Sequence, residues 1–237
     1  MEKFVEFYVK YKHTDLWIGF DGFTGNVVEV VDFVYEQVKI LHDGLSEFIK
    51  IVPSFATSLV PICMKNNDVL PEFVKKMLSA SWLANVGPMA CVAGTFAQII
   101  GDQLIEKYNC TNVIVENGGD VYISADKETK VGIFANFGNE FNKISLVLSP
   151  GKYGVCTSSG KIGHSLNFGK ADAVVVVSKN ASIADAFATK YSNMVKSSDD
   201  VEKVLNEAKK AIGTMIEGVV VIYQNNLGAV GNLKFSY

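Results

Sequence analysis

Between Cys156 and Gly169 the chain sets hydroxyls, glycines and its last histidine close together in Thr157-Ser158-Ser159-Gly160, His164-Ser165 and Asn167-Phe168-Gly169. Hydroxyls and small-residue backbone of this kind can present O–H and N–H donors to an anion, as a nest does. The same residues also suit a polar turn between strands, the commoner use of such a run. His164 has three chemistries open to it, binding a phosphate, acting as a base, or satisfying a local carbonyl. A strand-like run, 173–178, follows, and then Ser182-Ile183-Ala184-Asp185-Ala186-Phe187-Ala188-Thr189 reads as a helix start. Ser182 and Asp185 fit a capping box. Asp185 and Thr189, four apart on one helical face, also fit a divalent cation held by a carboxylate and a hydroxyl. Loop, strand and helix N-terminus in this order suit a phosphate-bearing ligand with a divalent metal.

Two other segments carry chemistry. Gly118-Gly119-Asp120 allows tight backbone passage at a strand end, with Asp120 either orienting a hydroxylated ligand or closing an Asx-turn. Gly87-Pro88-Met89-Ala90 is a helix entry whose free N–H groups could face a phosphate. Cys156 stands eight residues before His164, so a thiol–imidazole pair is conceivable, though a lone cysteine is more often a small core residue.

The elements that must position these residues are legible from periodicity. Residues 4–9 and 16–20 read as a hairpin around Tyr11-Lys12-His13-Thr14. Apolar spacings of three and four from Val27 to about Lys50 predict an amphipathic helix, with Gly44 as an interruption. Pro53 and Pro61 frame an irregular stretch, and helical periodicity resumes over 70–80 behind Pro71. A helix from Met89 to about Lys107 has a small-residue face of Ala90, Ala93, Gly94 and Ala97. Strands are expected at 113–115, 121–124, 131–135, 144–148 and 173–178, and helices from about 182 and over 199–212. A hairpin of 218–223 and 227–235 turning at Asn225-Asn226 ends the run of elements. Strands and helices come in blocks, so the expected class is α+β with largely antiparallel sheets packed with helices, in one domain over 1–237.

Bulk properties exclude several functions. Hydrophobic residues make up 49% and charged residues 20% of the 237, and the net charge is -3. That is globular and leaves no electrostatic footprint for nucleic acid or an anionic membrane. Cys63, Cys91, Cys110 and Cys156 form no CxxC pair, so neither a zinc site nor a disulfide framework is signalled. Met1-Glu2-Lys3 leads into a strand pattern instead of a signal peptide, and no apolar run suits a membrane span. The expected location is the cytoplasm.

Taken in order, Gly87-Pro88-Met89-Ala90-Cys91-Val92-Ala93-Gly94, Val115-Glu116-Asn117-Gly118-Gly119-Asp120, Thr157-Ser158-Ser159-Gly160 with His164-Ser165-Leu166, and Ala184-Asp185-Ala186-Phe187-Ala188-Thr189 resemble ApbE, the FAD:protein FMN transferase. The match is closer still to a related family, the uncharacterised protein family numbered 0280. The resemblance runs from about Phe7 to about Asn193. It implies an ApbE-like fold and a cleft for FAD, FMN or a similar nucleotide. It also implies Mg²⁺ held by Asp185, Thr189 and the backbone of Ala93. His164 and Asp185 take the catalytic positions. Gly118, Gly119, Asp120, Thr157, Ser158, Ser159, Gly160, His164 and Ser165 take the ligand-binding ones. Two positions depart from the transferase pattern: Asn167 replaces an acid, and no lysine stands beside Val92-Ala93-Gly94.

Three functional expectations follow. One is a flavin or nucleotide protein with Mg²⁺ that transfers a flavin-phosphoryl group or cleaves a pyrophosphate. The second is a non-catalytic binding or assembly protein that keeps the cleft. The third and weakest is a thiol hydrolase using Cys156. The expected partner is a small-molecule nucleotide, with a homodimer compatible with an exposed sheet or the small-residue helix.

Overall fold

Alternating apolar residues fold Val5–Tyr11 (β1) and Thr14–Phe20 (β2) into a hairpin in the computed structural model, which describes residues 4–64, 69–135, 139–160 and 167–237. Further strands are Val113–Asn117 (β3), Asp120–Ala125 (β4), Thr129–Gly132 (β5), Ser145–Leu148 (β6), Gly151–Ser158 (β7), Ala173–Ser178 (β8), Gly218–Tyr223 (β9), Asn226–Gly231 (β10) and Lys234–Ser236 (β11). Eight of them form one antiparallel sheet in the order β1-β2-β3-β4-β7-β8-β9-β10, and three form a second in the order β11-β6-β5. The class is α+β with antiparallel sheets, as expected from the sequence.

Side chains alternate across the large sheet, which gives it two buried faces. Val113, Val115, Tyr122, Cys156, Val174 and Val176 face the helices. Ile123, Val155, Ala173, Val175 and Val177 face the small sheet. β8 is therefore buried on both sides, which is why it reads as an unbroken apolar run. Each such valine contributes roughly 1.5–3 kcal/mol on burial.

The helices are Val27–Ile51 (α1), Ser54–Thr57 (α2), Glu72–Ala84 (α3), Val92–Tyr108 (α4), Ala181–Met194 (α5) and Asp200–Ala208 (α6). Asn26 caps α1, its side chain accepting from the Val28 N–H at 3.0 Å. Gly44 does not interrupt α1 but packs where a Cβ would meet the Phe73 ring at 3.4 Å. A 3-10 turn, Pro88–Cys91, leads into α4. Gly87 is required there, because a Cβ would come within 1.8 Å of the Ser58 carbonyl oxygen.

Four other expectations change. Thr157 and Ser158 are not in a loop but end strand β7. Residues 133–135 lie beyond β5. The second late helix stops at Ala208 and yields to turns. The last hairpin turns at Gln224-Asn225, with Asn226 opposite Tyr223. Its second arm breaks near Gly231, where φ is +108°, and β11 leaves to pair with β6.

No single helix among the described residues is long and apolar enough to cross a membrane. One bent pair, Glu72–Ala84 with Pro88–Tyr108, is apolar and long enough together, but it turns through 102° and buries Phe73, Val74, Met77, Phe96, Ile100 and Leu104 in the helix-side core.

Candidate functional site

The site begins with a two-residue turn. Asn117 pairs with Asp120 across β3 and β4, so Gly118 and Gly119 alone make the reversal, with φ of +62° and +100°. Positive φ at both positions is the requirement of a type I′ hairpin, which glycine meets without strain. The turn sets Asn117 and Asp120 side by side on the helix face of the sheet. Asn117 Nδ2 donates to the Ala93 carbonyl at 3.2 Å, tying the hairpin to the start of α4.

α5 brings the second carboxylate. Its N-cap is Asn180, whose side chain accepts from the Ile183 N–H at 3.1 Å. Ser182 is therefore not the cap; its hydroxyl instead pairs at 2.8 Å with the Thr95 hydroxyl, whose own hydrogen goes to the Cys91 carbonyl at 2.6 Å. This frees Asp185 from any capping box. Asp185 reaches across to α4 and accepts from the Gly94 N–H at 2.9 Å. That N–H belongs to the first turn of α4, where backbone donors lack intrahelical partners and favour negative charge. The helices approach this closely because Gly94 has no side chain: a Cβ there would lie 2.4 Å from the Ala181 carbonyl oxygen and 2.9 Å from Asp185 Cβ. One turn on, Thr189 Oγ1 donates to the Ala90 carbonyl at 3.3 Å.

Asp120 and Asp185 are both buried. Burial, then the charge of Asp120, pushes the Asp185 carboxyl well above the carboxylate range against the Gly94 and Ala93 backbone bonds that lower it. Burial likewise raises Asp120, opposed by the Cys156 thiol and the Thr157 backbone N–H and assisted by Glu116. Among the described residues, no cationic group is found acting on either carboxyl. Burial also raises the Cys156 thiol, as do both aspartates, and its Sγ donates to the Ala181 carbonyl at 3.4 Å. Cys156 is fully buried among apolar residues of the helix-side core, the place of a small core residue instead of a nucleophile that a substrate could reach.

The donor set fits a hard divalent cation. Asp185 has carboxylate lone pairs beyond the one used by Gly94, Thr189 spends its hydrogen on Ala90 and keeps its oxygen lone pairs, and the Ala93 carbonyl has a second lone pair beside Asn117. Among the described residues no group of three or more His, Cys, Asp or Glu could hold an ion. The Asp185 carboxylate, the Thr189 hydroxyl and the Ala93 carbonyl form an all-oxygen set, which suits Mg²⁺, an ion that takes one or two carboxylates and completes its shell with water and phosphate.

The remaining site residues divide between the two faces of the sheet. Gly118, Gly119, Thr157 and Ser159 line a cavity of about 550 Å³ between the large and small sheets. It is walled by Trp17, Val121, Val131, Phe134 and Val175, with Glu116 among its polar groups. Its volume lies within the ~300–1,000 Å³ of small-molecule sites. On the helix side, Ala90, Thr189, Gly87, Phe168 and Asn193 line a second cavity of about 480 Å³.

Ser158 points to the helix side, where Asn167 Nδ2 donates to its hydroxyl at 2.8 Å and to the Ser192 hydroxyl at 2.7 Å. Asn167 Oδ1 accepts from the Gly169 N–H at 2.7 Å, so every polar atom of that side chain is engaged. The described residues do not form the expected backbone nest: the Gly160 N–H donates to the Ala171 carbonyl at 3.0 Å, and Thr157 and Ser158 lie in the β-ladder. His164 and Ser165 fall outside the described residues. The large cavity was not legible in the sequence, since its walls come from strands far apart in the chain. Alternation on β3 and β4 was the signal that could have shown which of their residues line it.

A model of the family described as AbpE bacteria matches residues 1–230. A UPF0280 protein of Methanobrevibacter smithii is 43% identical over 197 residues, which cover 81% of this chain and 82% of that protein. One from Methanococcus vannielii is 40% identical over 220 residues, covering 88% and 87%. Among solved structures, the apo flavinyl transferase ApbE of Pseudomonas stutzeri superposes with a TM-score of 0.57 at 11% identity, over 97% of this chain and 95% of that one. The apbe protein of Thermotoga maritima gives 0.58 at 12% identity, over 98% and 96%. At such identities the structural likeness speaks for the fold.

Proposed function

Because this chain belongs to the ApbE-like UPF0280 family, we propose that it binds a flavin nucleotide together with Mg²⁺ and acts on the phosphate-bearing part of that ligand. The observation that carries this reading is the buried Asp185 carboxyl, which no described cation neutralises, beside Thr189 and the Ala93 carbonyl. The carboxyl pair lies where the Gly118-Gly119 turn meets the two helices, with one cavity on each face of the sheet. That arrangement suits a ligand with a charged middle and flat ends. The apolar cavity walled by Trp17 and Phe134 would take a planar ring, with Thr157 and Ser159 fixing its polar edge.

Asp185, Thr189 and the Ala93 carbonyl would hold the metal, which when bound supplies positive charge to neutralise developing negative charge on phosphate oxygens. The protein's own part is to orient and to exclude water. Gly94 fixes the Asp185 carboxylate by its N–H, and Asn117 fixes the Ala93 carbonyl. As an extension of the same reading, His164, at a catalytic position of the transferase pattern, would help position the phosphate oxygens.

A second reading, binding without chemistry, is favoured by Asn167. Where the transferase pattern has an acid, this amide is committed to Ser158, Ser192 and Gly169 and can take up no proton. Isothermal titration with FAD, FMN and ATP, with and without Mg²⁺, tests the common premise. Mg²⁺ is expected to tighten FAD by about tenfold or more, worth ~1.4 kcal/mol. Absence of binding by all three at millimolar concentration would overturn both readings. Product analysis by mass spectrometry with FAD and an acceptor peptide separates them: a product that disappears in Asp185→Ala supports chemistry, and none supports binding alone.

A further inference from the structure

Asp120 is the buried group that the cation reading leaves without a task. It is 7% exposed, and its Oδ1 has no hydrogen-bond partner among the described residues. A buried, unpaired carboxylate oxygen is costly, and native structures rarely keep one without a ligand, water or ion to satisfy it. The other groups bearing on the Asp120 carboxyl are the Cys156 thiol and the Thr157 N–H, which are weak or neutral donors, and the like charge of Glu116. The charge that acts most on Asp185 is that of Asp120. The two carboxylates approach from different layers, one on the sheet hairpin and the other on α5, and the Asn117–Ala93 bond locks those layers together between them.

We infer that Asp120 is a direct second carboxylate ligand of the divalent cation, so that the ion is gripped between β4 and α5. This rests on Asp185 being a cation ligand and goes beyond that reading in three ways. The ion neutralises two like charges that otherwise repel in a dry site. It satisfies the orphaned Oδ1. It also cross-links the sheet to the helix layer, so that loading the metal fixes the Gly118-Gly119 turn at the edge of the large cavity. The ligand chemistry is all oxygen, which selects Mg²⁺ or Mn²⁺ over Zn²⁺.

Mn²⁺ alone, followed by electron paramagnetic resonance of the free ion, tests this on the full chain without any reaction. Wild type, Asp120→Asn and Asp185→Asn are compared, and the melting temperature of each is measured with and without Mn²⁺. The expected result is that both variants lose affinity on the order of tenfold or more, and that both lose the Mn²⁺-induced rise in melting temperature. Metal-free Asp120→Asn is expected to melt at or above wild type, because a neutral amide costs less to bury than a carboxyl group with an unpartnered oxygen, which loss of a purely structural acceptor would not do. Wild-type Mn²⁺ affinity in Asp120→Asn alongside loss in Asp185→Asn would overturn the assignment of Asp120 alone and leave the cation site standing. So would collapse of metal-free Asp120→Asn, which would mark the residue as a structural acceptor. Failure of wild type to bind Mn²⁺ would overturn the cation reading and this inference together.

Discussion

At the residue scale the site depends on one absent side chain. Gly94 lets α4 and α5 touch, and the obstacle facing an added Cβ is mostly backbone, the Ala181 carbonyl oxygen at 2.4 Å. Gly94→Ala should therefore push the helices apart, costing about 1–3 kcal/mol in urea unfolding as overpacking does, and weakening Mn²⁺ binding with it. Retained stability and affinity would show that the two helices yield there at no cost. Asp185 and Thr189 could be picked out from sequence because helical spacing alone puts them on one face. The capping of α5 could not: Ser182-x-x-Asp185 fits the box pattern, yet the turn of chain at Asn180 places the cap two residues earlier. Asp120 was legible as a residue beside a turn. Its burial, with Oδ1 unpartnered among the described residues, depends on Cys156 and α5, which a linear sequence does not bring near it.

Between elements, the β1–β2 hairpin is fastened to α1 by a polar clasp. The Tyr11 hydroxyl donates to both Asp43 oxygens at 3.0 Å, Lys12 Nζ reaches Asp43 Oδ1 at 2.8 Å, and the His42 ring lies edge-on to Tyr11 with His13 6.2 Å away. Burial, followed by the charge of Lys12, holds His42 below its ordinary value of 6.5 against the pull of Asp43. The unfolded chain thus binds more protons than the folded one in that range. The stabilisation is complete above pH ~6.5 and is lost as pH falls from there through the lowered folded value. Melting temperatures taken from about pH 7.5 to about pH 5 should fall less steeply in His42→Gln than in wild type, and an unchanged slope would place the sensitivity elsewhere. Helices α1, α3 and α4 were readable from period alone. β7 was not, because Gly151, Lys152, Gly154 and the terminal hydroxyls hide its alternation until β4 and β8 pair with it on both sides.

For the whole molecule, the consequential arrangement is two sheets facing each other across a chamber. Val121 stands on its wall, its side chain packed with the apolar residues that face the small sheet. Val121→Trp should fill the chamber and abolish FMN binding in a fluorescence titration, at a stability cost of about 1–3 kcal/mol, as overpacking has. Undiminished FMN binding would place the ring outside this chamber. The antiparallel class could be read from the blocks of strands. The division into two sheets could not, since nothing in residues 227–235 announces that Gly231 breaks the strand and hands its continuation to β6. That crossing orders events in time. The roof over the chamber is only the ribbon β5–β6 until Lys234–Ser236 joins it, and a two-strand ribbon is marginal in water. A nascent chain still on the ribosome, with every residue of the carboxylate pair and its helices already made, therefore lacks a closed chamber until translation has passed β11.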